Sequence, residues 1–431
     1  MIVPATGIAV FSVNTIYTKM IEPRPSLSMD FEKGIPESCS TFVVMPVILS
    51  SVSGSKSTVS SMERHYLANR TEHLYFALLV DFRDASAREL PEDKDIIGVA
   101  KAESEQLNLK YPNHTTRFYL FYREREWNPK QKCWMGWERK RGKLEDFNSI
   151  LCGEEENRYR IPVGDPSVFP KIKYVITLDA DTEIPQESAA RMIGVIEHPL
   201  NRPVLDAEQR RVKSGYVIVQ SEIGNRIPAP SAGLFQVMLS GQAGFDPYST
   251  IVSDVYQDTF QEGIYAGKGI YHLRAFHALL RRKIPDNSVL SHDLLEGSLT
   301  RCAFASGIKL LDRVPSRIAA FVKREHRWIR GDWQLLPYML GAERLNLLSR
   351  WKMLDNLRRS VMHPALLILV LCNIFLLPRT PWVWMLFLFF EPAVNVTRVL
   401  LRTLLRKTRR VFERISVSVL GQNIFDVVIQ S

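Results

Sequence analysis

The feature that most narrows the fold is a series of short, almost uninterrupted apolar runs separated by longer amphipathic stretches. TFVVMPVIL (41–49), LYFALLVD (74–81), TRFYLFY (116–122), KYVITL (173–178) and GYVIVQS (215–221) are rich in β-branched and aromatic residues. A strand with one face in water alternates apolar and polar residues. Continuous apolar runs belong to strands covered on both faces, the habit of parallel sheets. Between these runs, residues 56–69, 96–109 and 187–197 read as helices. Strand–helix alternation at this spacing predicts an α/β fold with a mostly parallel sheet. With 46% hydrophobic and 24% charged residues, a chain of 431 can fill such a core, which argues against wholesale disorder. The sequence has no internal repeat and no low-complexity tract, and Pro23–Pro25 with the polar residues nearby reads as a linker into the domain.

Ligands of open α/β sheets bind beyond the carboxyl ends of the strands, so the residues that end each run are the first candidates. The sharpest feature is LDADT (178–182), where Asp179 and Asp181 flank one small residue at the end of an apolar strand. Two like charges so close repel, and a hard divalent cation relieves that repulsion. Mg²⁺ or Mn²⁺ there would share its ligands with a substrate diphosphate. A strand-ending turn with two solvated carboxylates is the plain alternative. Asp81, with Asp84 after it, ends an earlier run, and a carboxylate there can accept hydrogen bonds from a base or ribose or belong to an ordinary solvated loop. KRGKLE (140–145) gathers Lys140, Arg141 and Lys143 around a glycine at a helix start, not a Walker motif but a group able to hold phosphate, with a plain basic surface turn as the default. SHDLLEG (291–297) offers Asp293 as a general base for a hydroxyl group, with His292 as a metal ligand or a structural histidine. REHRWIRGDWQ (324–334) interleaves cations and indoles; indole faces stack on sugar rings and arginine neutralises a departing diphosphate. The same mixture suits nucleic acid, but that reading leaves the acidic strand ends unexplained.

The order strand-end acid, basic turn, Asp-x-Asp, later acid, Arg-Trp resembles the processive family-2-like glycosyltransferases of the GT-A fold. More closely, it resembles the glycosyltransferase domain of cyclic β-1,2-glucan synthases. LDADTEIP (178–185), ERKRGKLEDFN (138–148), GIYAGKGIY (263–271), LSHDLLEG (290–297) and REHRWIRGDWQ carry that similarity, which runs from about Met20 to Trp351. The resemblance implies a GT-A-type nucleotide-sugar-binding domain at 41–355, a membrane-proximal segment and linker at 1–40, and transmembrane or interfacial helices at 356–431. It implies transfer of glucose from UDP-glucose to a growing β-glucan with inversion. Asp179 and Asp181 would bind the Mg²⁺ or Mn²⁺ and the donor diphosphate, Asp81 the uridine, and Lys143 would sit near the donor. Asp293 would be the catalytic base. Arg327 and Trp328 would match the Arg-Trp of the QxxRW motif. Gly267, Lys268 and Gly269 would line the acceptor side. The tripeptide ending at Asp293 is Ser-His-Asp where cellulose synthases have Thr-Glu-Asp, and Arg324 stands where the motif has glutamine. Members of the family are usually one part of a longer polypeptide, so further domains of such a synthase are expected partners alongside donor, glucan acceptor and lipid; nucleic acid is not.

The C-terminal region carries a membrane signal. From Ala365 to Phe390 the only charged residue is Arg379, and Pro378 to Pro381 divide the run into 361–377 and 382–390. The first piece just reaches the roughly 17 residues that a spanning helix needs; a span, a re-entrant hairpin and a buried core helix are all open. Arg398, Arg402 and Arg406 recur every fourth residue among leucines, the pattern of an interfacial helix, or else of an ordinary amphipathic surface helix. With Lys407, Arg409, Arg410 and Arg414 they place that flank in the cytoplasm, at the inner membrane. Residues 2–17 are apolar without the features of a signal peptide and read as the tail of another membrane helix. A net charge of +10 suggests an anionic partner or a solvated basic surface. Five cysteines with no CxxC pair argue against a disulfide framework or zinc site and fit a reducing compartment.

Overall fold

A computed structural model describes residues 2–21, 26–112, 116–155, 158–206, 208, 211–229, 232–240, 255–341 and 345–376. The elements begin with α1 (Ile2–Met20), β1 (Thr41–Leu49), α2 (Val52–Ala68), β2 (Leu74–Phe82), α3 (Asp93–Lys110) and β3 (Phe118–Arg123). A short hairpin, β4 (Glu126–Asn128) and β5 (Cys133–Met135), leads to α4 (Arg139–Leu151) and β6 (Tyr159–Val163). Then come β7 (Tyr174–Thr177), β8 (Thr182–Glu183), α5 (Ser188–Glu197), β9 (Val204–Leu205), β10 (Val212–Ser214) and β11 (Ile218–Asn225). The remainder is α6 (Leu234–Ser240), α7 (Val255–Phe260), β12 (Gly269–His272), α8 (Leu273–Leu280), α9 (Asp293–Thr300), β13 (Cys302–Asp312), α10 (Ile318–Gln334), α11 (Leu336–Leu340) and α12 (Leu347–Leu376). The chain divides into two compact units, one formed by Arg24–Ile223 with Phe260–Leu311, the other by the rest of the described chain.

The first unit is built on an α/β sheet with strand order β6-β3-β2-β1-β7-β12-β11-β13-β8. β3, β2, β1 and β7 run parallel, as the apolar runs predict. Alternate residues of a strand point to opposite faces, and β1 does so with both faces covered. Val43, Met45 and Val47 enter one core with Val59 and Met62 of α2, Ile96 of α3 and Met192 of α5. Phe42 and Val44 enter the other with Phe147 of α4 and Phe276 of α8. That second core is aromatic: Phe42 meets Tyr119 and Phe147 edge-on with ring centres 5.0 and 5.4 Å apart. Such pairs contribute about 0.5–1.5 kcal/mol beyond the area they bury. The sheet is more mixed than the sequence predicts, because β6, β12 and β11 pair antiparallel with their neighbours. Apolar periodicity reports burial, not strand direction.

β12 lies against β7 with Gly269 opposite Thr177 and His272 opposite Tyr174. His272 also caps α8, its Nδ1 accepting from the Ala275 N–H at 3.4 Å, which needs an unprotonated ring nitrogen. Burial, helped by the Lys173 ammonium, pushes its pKa down to about 4. The unfolded value is about 6.5, so between the two the unfolded chain binds more protons, and stability falls as pH drops through that window. Asparagine keeps the cap without the titration. His272→Asn is therefore expected to lose less stability than the parent between pH 7 and pH 4.5, by on the order of 2 kcal/mol. Urea unfolding at the two pH values measures this, and equal losses in both proteins would remove His272 from the account.

In the second unit α1 packs against α12, so closely that a Cβ on Gly7 would stand 2.5 Å from the Met362 Cε. Trp333 of α10 donates to the Ser360 hydroxyl at 3.1 Å, and Asn356 donates to Asp332 at 3.0 Å. The apolar segment 361–377 is thus not a separate spanning helix as far as it is described: it continues the charged first half of the 30-residue α12. Among the described residues no helix is long and apolar enough to cross a membrane. The segment 382–390, the basic stretch from Arg398 to Arg414 and the linker at Pro23–Pro25 lie outside the described residues.

Candidate functional site

The Asp-x-Asp turn follows β7 directly. Leu178 still bonds β1 through its N–H to the Val44 carbonyl at 3.0 Å, and the Thr182 N–H closes the turn on the Asp179 carbonyl at 3.1 Å. Asn69 at the end of α2 holds the far side, donating to the Pro185 carbonyl at 3.1 Å and accepting from the Ala189 N–H at 3.0 Å. So anchored, the turn leaves the Asp181 side chain exposed and Asp179 about one-third exposed (34%).

Asp179 is the meeting point of two lysines. Lys140 donates to Oδ1 at 2.5 Å, and the Lys268 ammonium stands 3.2 Å from Oδ2. Surrounding protein would push the Asp179 carboxyl up; the ammonium groups of Lys140 and Lys268 outweigh it and hold the carboxyl well below the usual carboxylate range. Lys140 also donates to the Gly267 carbonyl at 2.8 Å, and so ties the turn to the loop before β12. Gly267 has φ +78°, and a Cβ there would fall 2.6 Å from the Asp293 Oδ1. Only glycine allows both that backbone and so close a carboxylate. Asp179, Lys140, Gly267, Lys268 and Asp293 thus form one continuous contact chain.

Asp293 opens α9, where a carboxylate is favoured by the helix dipole. His292, just before it, is buried, with Nδ1 2.9 Å from the Glu296 Oε1 and 3.6 Å from the Asp293 Oδ1. Burial would drive this imidazole down; the Glu296 and Asp293 carboxylates outweigh it and raise its pKa above the ordinary histidine value. Glu296 did not stand out in the sequence, although its i,i+4 spacing from His292 is the available signal.

Asp81 and Lys143 are drawn instead into a buried ion-pair knot. Arg123 grips both oxygens of Asp81 at 2.9 Å each and reaches Asp146 at 2.8 Å. Lys143 stands 3.2 Å from the same Asp81 and donates to the Val47 carbonyl at 2.8 Å. Burial, only partly offset by Asp81, pushes Lys143 down to about 8. The basic turn therefore splits: Arg141 pairs with Glu138 and Glu145, Lys143 goes inward, and Lys140 alone reaches the Asp-x-Asp turn. Arg123 and Asp146 were not singled out as site residues; an arginine ending an apolar strand was the clue to a buried counter-ion. Asp84 pairs with Arg139 at 2.7 Å.

Arg327 and Trp328 belong to the other compact unit, on α10. Both are exposed, and the Arg324 guanidinium lies over the Trp328 ring, 5.0 Å from its centre.

The donor chemistry of Asp179 and Asp181 suits a hard divalent cation: two carboxylates one residue apart, one held ionised and both reachable from solvent. A cation on Asp179 would replace a lysine ammonium there. His292, Asp293 and Glu296 also offer ligand atoms within 4.8 Å of one another. Ligation needs a neutral imidazole, however, and the raised pKa of His292 favours a proton in that trio.

No family model matches the chain. Over 415 residues, 95% of its length, it is 39% identical to the cyclic beta-(1,2)-glucan synthase NdvB of Rhizobium meliloti (strain 1021), and the two are homologous. The chain spans 15% of the length of that relative. A crystal structure of S. aureus TarS 1-349 aligns with 91% of this chain and 92% of its own at 11% identity and a TM-score of 0.36, a likeness too loose to bear on function.

Proposed function

We propose that the chain is an inverting glycosyltransferase of the GT-A type that transfers glucose from UDP-glucose to a growing β-glucan, in cyclic β-1,2-glucan synthesis. The observation that carries this reading is the contact chain from the ionised Asp179 through Lys140 and the Gly267 turn to Asp293. It brings an acid suited to a donor's metal and an acid suited to deprotonating a hydroxyl to the same turn. The homology to a glucan synthase supports the substrate class.

In this mechanism the acceptor hydroxyl gives its proton to Asp293 and attacks the anomeric carbon. The bond to the diphosphate breaks with its electron pair on the departing oxygen. Attack from the opposite face inverts the configuration and gives a β-linkage from an α-linked donor. Mg²⁺ or Mn²⁺, held by Asp179 and Asp181, would supply positive charge for the diphosphate when bound. Gly267, which packs directly on Asp293, and Gly269 stand on the acceptor side in this reading on their sequence match alone. Arg327 and Trp328 stand in this reading on their sequence match alone, for the leaving diphosphate and the sugar. Asp81 supports the donor side through the buried knot with Arg123 and Lys143.

Detergent-held protein is expected to release UDP from UDP-glucose in the presence of Mg²⁺ or Mn²⁺, and Asp179→Ala to release at least about 100-fold less. Equal rates in the two proteins, or no release by either, would sink the reading. The reading also places the chain at the cytoplasmic face of the inner membrane. Ile318, Val322, Ile329 and Trp333 are all exposed and fall along one side of α10, a stripe suited to lipid. Carbonate extraction tests that location, and full release of the protein would refute it.

A further inference from the structure

Lys268 is held between two glycines whose backbones few other residues can adopt, with φ +78° at Gly267 and +148° at Gly269. A Cβ at Gly269 would fall 2.4 Å from the Val219 carbonyl oxygen, as one at Gly267 would meet Asp293. The turn is therefore fixed on both sides of the lysine, and Lys268 is itself only 8% exposed. Its ammonium is aimed at Asp179, the donor acid, at 3.2 Å. Lys140 already supplies Asp179 with a shorter contact of 2.5 Å. Both ammonium groups help to hold that carboxylate ionised. A divalent cation on Asp179 would take the place of one of them, and the nearly buried Lys268 would then need another anion within reach, which the donor diphosphate supplies.

We propose that Lys268 binds the diphosphate of the nucleotide sugar and neutralises the charge that builds on it as it leaves, acting on the donor side of the reaction and not on the acceptor side. This rests on the glycosyl-transfer reading. As the anomeric carbon–oxygen bond breaks, its electron pair stays on the β-phosphate oxygen. The ammonium donates a hydrogen bond to that diphosphate and keeps its proton, while the proton of the acceptor hydroxyl passes to Asp293. Charge-assisted bonds of this kind strengthen as charge develops, so they act on turnover more than on ground-state binding.

The test compares the parent chain with Lys268→Met, Lys268→Gln and Lys268→Arg, all in detergent with Mg²⁺. Binding of UDP and of uridine is measured by calorimetry, and kcat and KM by UDP release. Lys268→Met is expected to weaken UDP about tenfold while changing uridine less than about twofold, and to lower kcat more than it raises the KM for UDP-glucose. Lys268→Arg should recover part of both. Lys268→Gln reads the same quantities if the methionine variant does not fold. Unchanged UDP affinity with a raised KM for the glucan acceptor overturns the proposal and returns Lys268 to the acceptor side. A parent chain that binds no UDP fails the glycosyl-transfer reading itself, and this proposal with it.

Discussion

Asp293→Asn will lower glucosyl transfer by about 10²–10⁴-fold, the usual contribution of a positioned general base, and will leave UDP binding close to that of the parent. The amide keeps the shape of the carboxylate and its place at the start of α9. It cannot take the proton of an attacking hydroxyl. The packing against Gly267, where a Cβ would already stand 2.6 Å from the Asp293 Oδ1, tolerates an isosteric change and little else. Single-turnover kinetics with radiolabelled UDP-glucose separate the loss of chemistry from any loss of binding. Transfer within about threefold of the parent would remove Asp293 as the base. The choice would then turn to Glu296, the other carboxylate beside His292.

The second large effect concerns stability. Arg123→Met should destabilise the sheet-bearing unit by about 3–5 kcal/mol, the cost of leaving buried charges without their partner. Arg123 is almost completely buried and holds Asp81 and Asp146 together through three hydrogen bonds from its guanidinium. Methionine fills much of the volume but leaves Asp81 with Lys143 alone and Asp146 with Arg158, which is partly exposed. Urea unfolding followed by tryptophan fluorescence measures the change. A loss under about 1 kcal/mol would mean that Lys143 and Arg158 suffice to compensate the two acids. The same experiment bears on Asp81. If the knot is structural, Asp81→Asn will destabilise the unit as well as affect nucleotide binding.

Much of the sheet was legible because burial on both faces leaves a plain mark in sequence. Residues 41–49, 74–81 and 173–178 read as strands for that reason, and β1, β2 and β7 fall there within a residue at each end. The Asp-x-Asp turn was legible too, since two acids ending an apolar strand are a local pattern. What could not be read was pairing between distant residues. Asp81 looked like an open strand-end acid, whereas its partner Arg123 is 42 residues away in the chain. Lys143 looked like part of a phosphate-binding turn, but its ammonium turns inward to the Val47 carbonyl. The contact of Lys268 with Asp179 is of the same long-range kind. Hydropathy alone also made 361–377 look like an independent membrane helix, because it does not reveal that the helix began at Leu347.

The opposed direction of β12 and β7 carries a consequence for how the two acids stay in step. Since Gly269 pairs with Thr177, Lys268 and Asp179 lie just beyond the same end of the ladder, where their side chains meet. Sliding β12 by one position would exchange Ile270 and Tyr271 between the two cores on opposite faces of the sheet, one of which each now fills. It would also turn the lysine to the other side of the sheet. The shapes of two oily side chains therefore act as a ratchet for an ammonium group several ångströms away. Volume changes at Ile270 or Tyr271, both buried in the cores, should disturb catalysis before they unfold the chain.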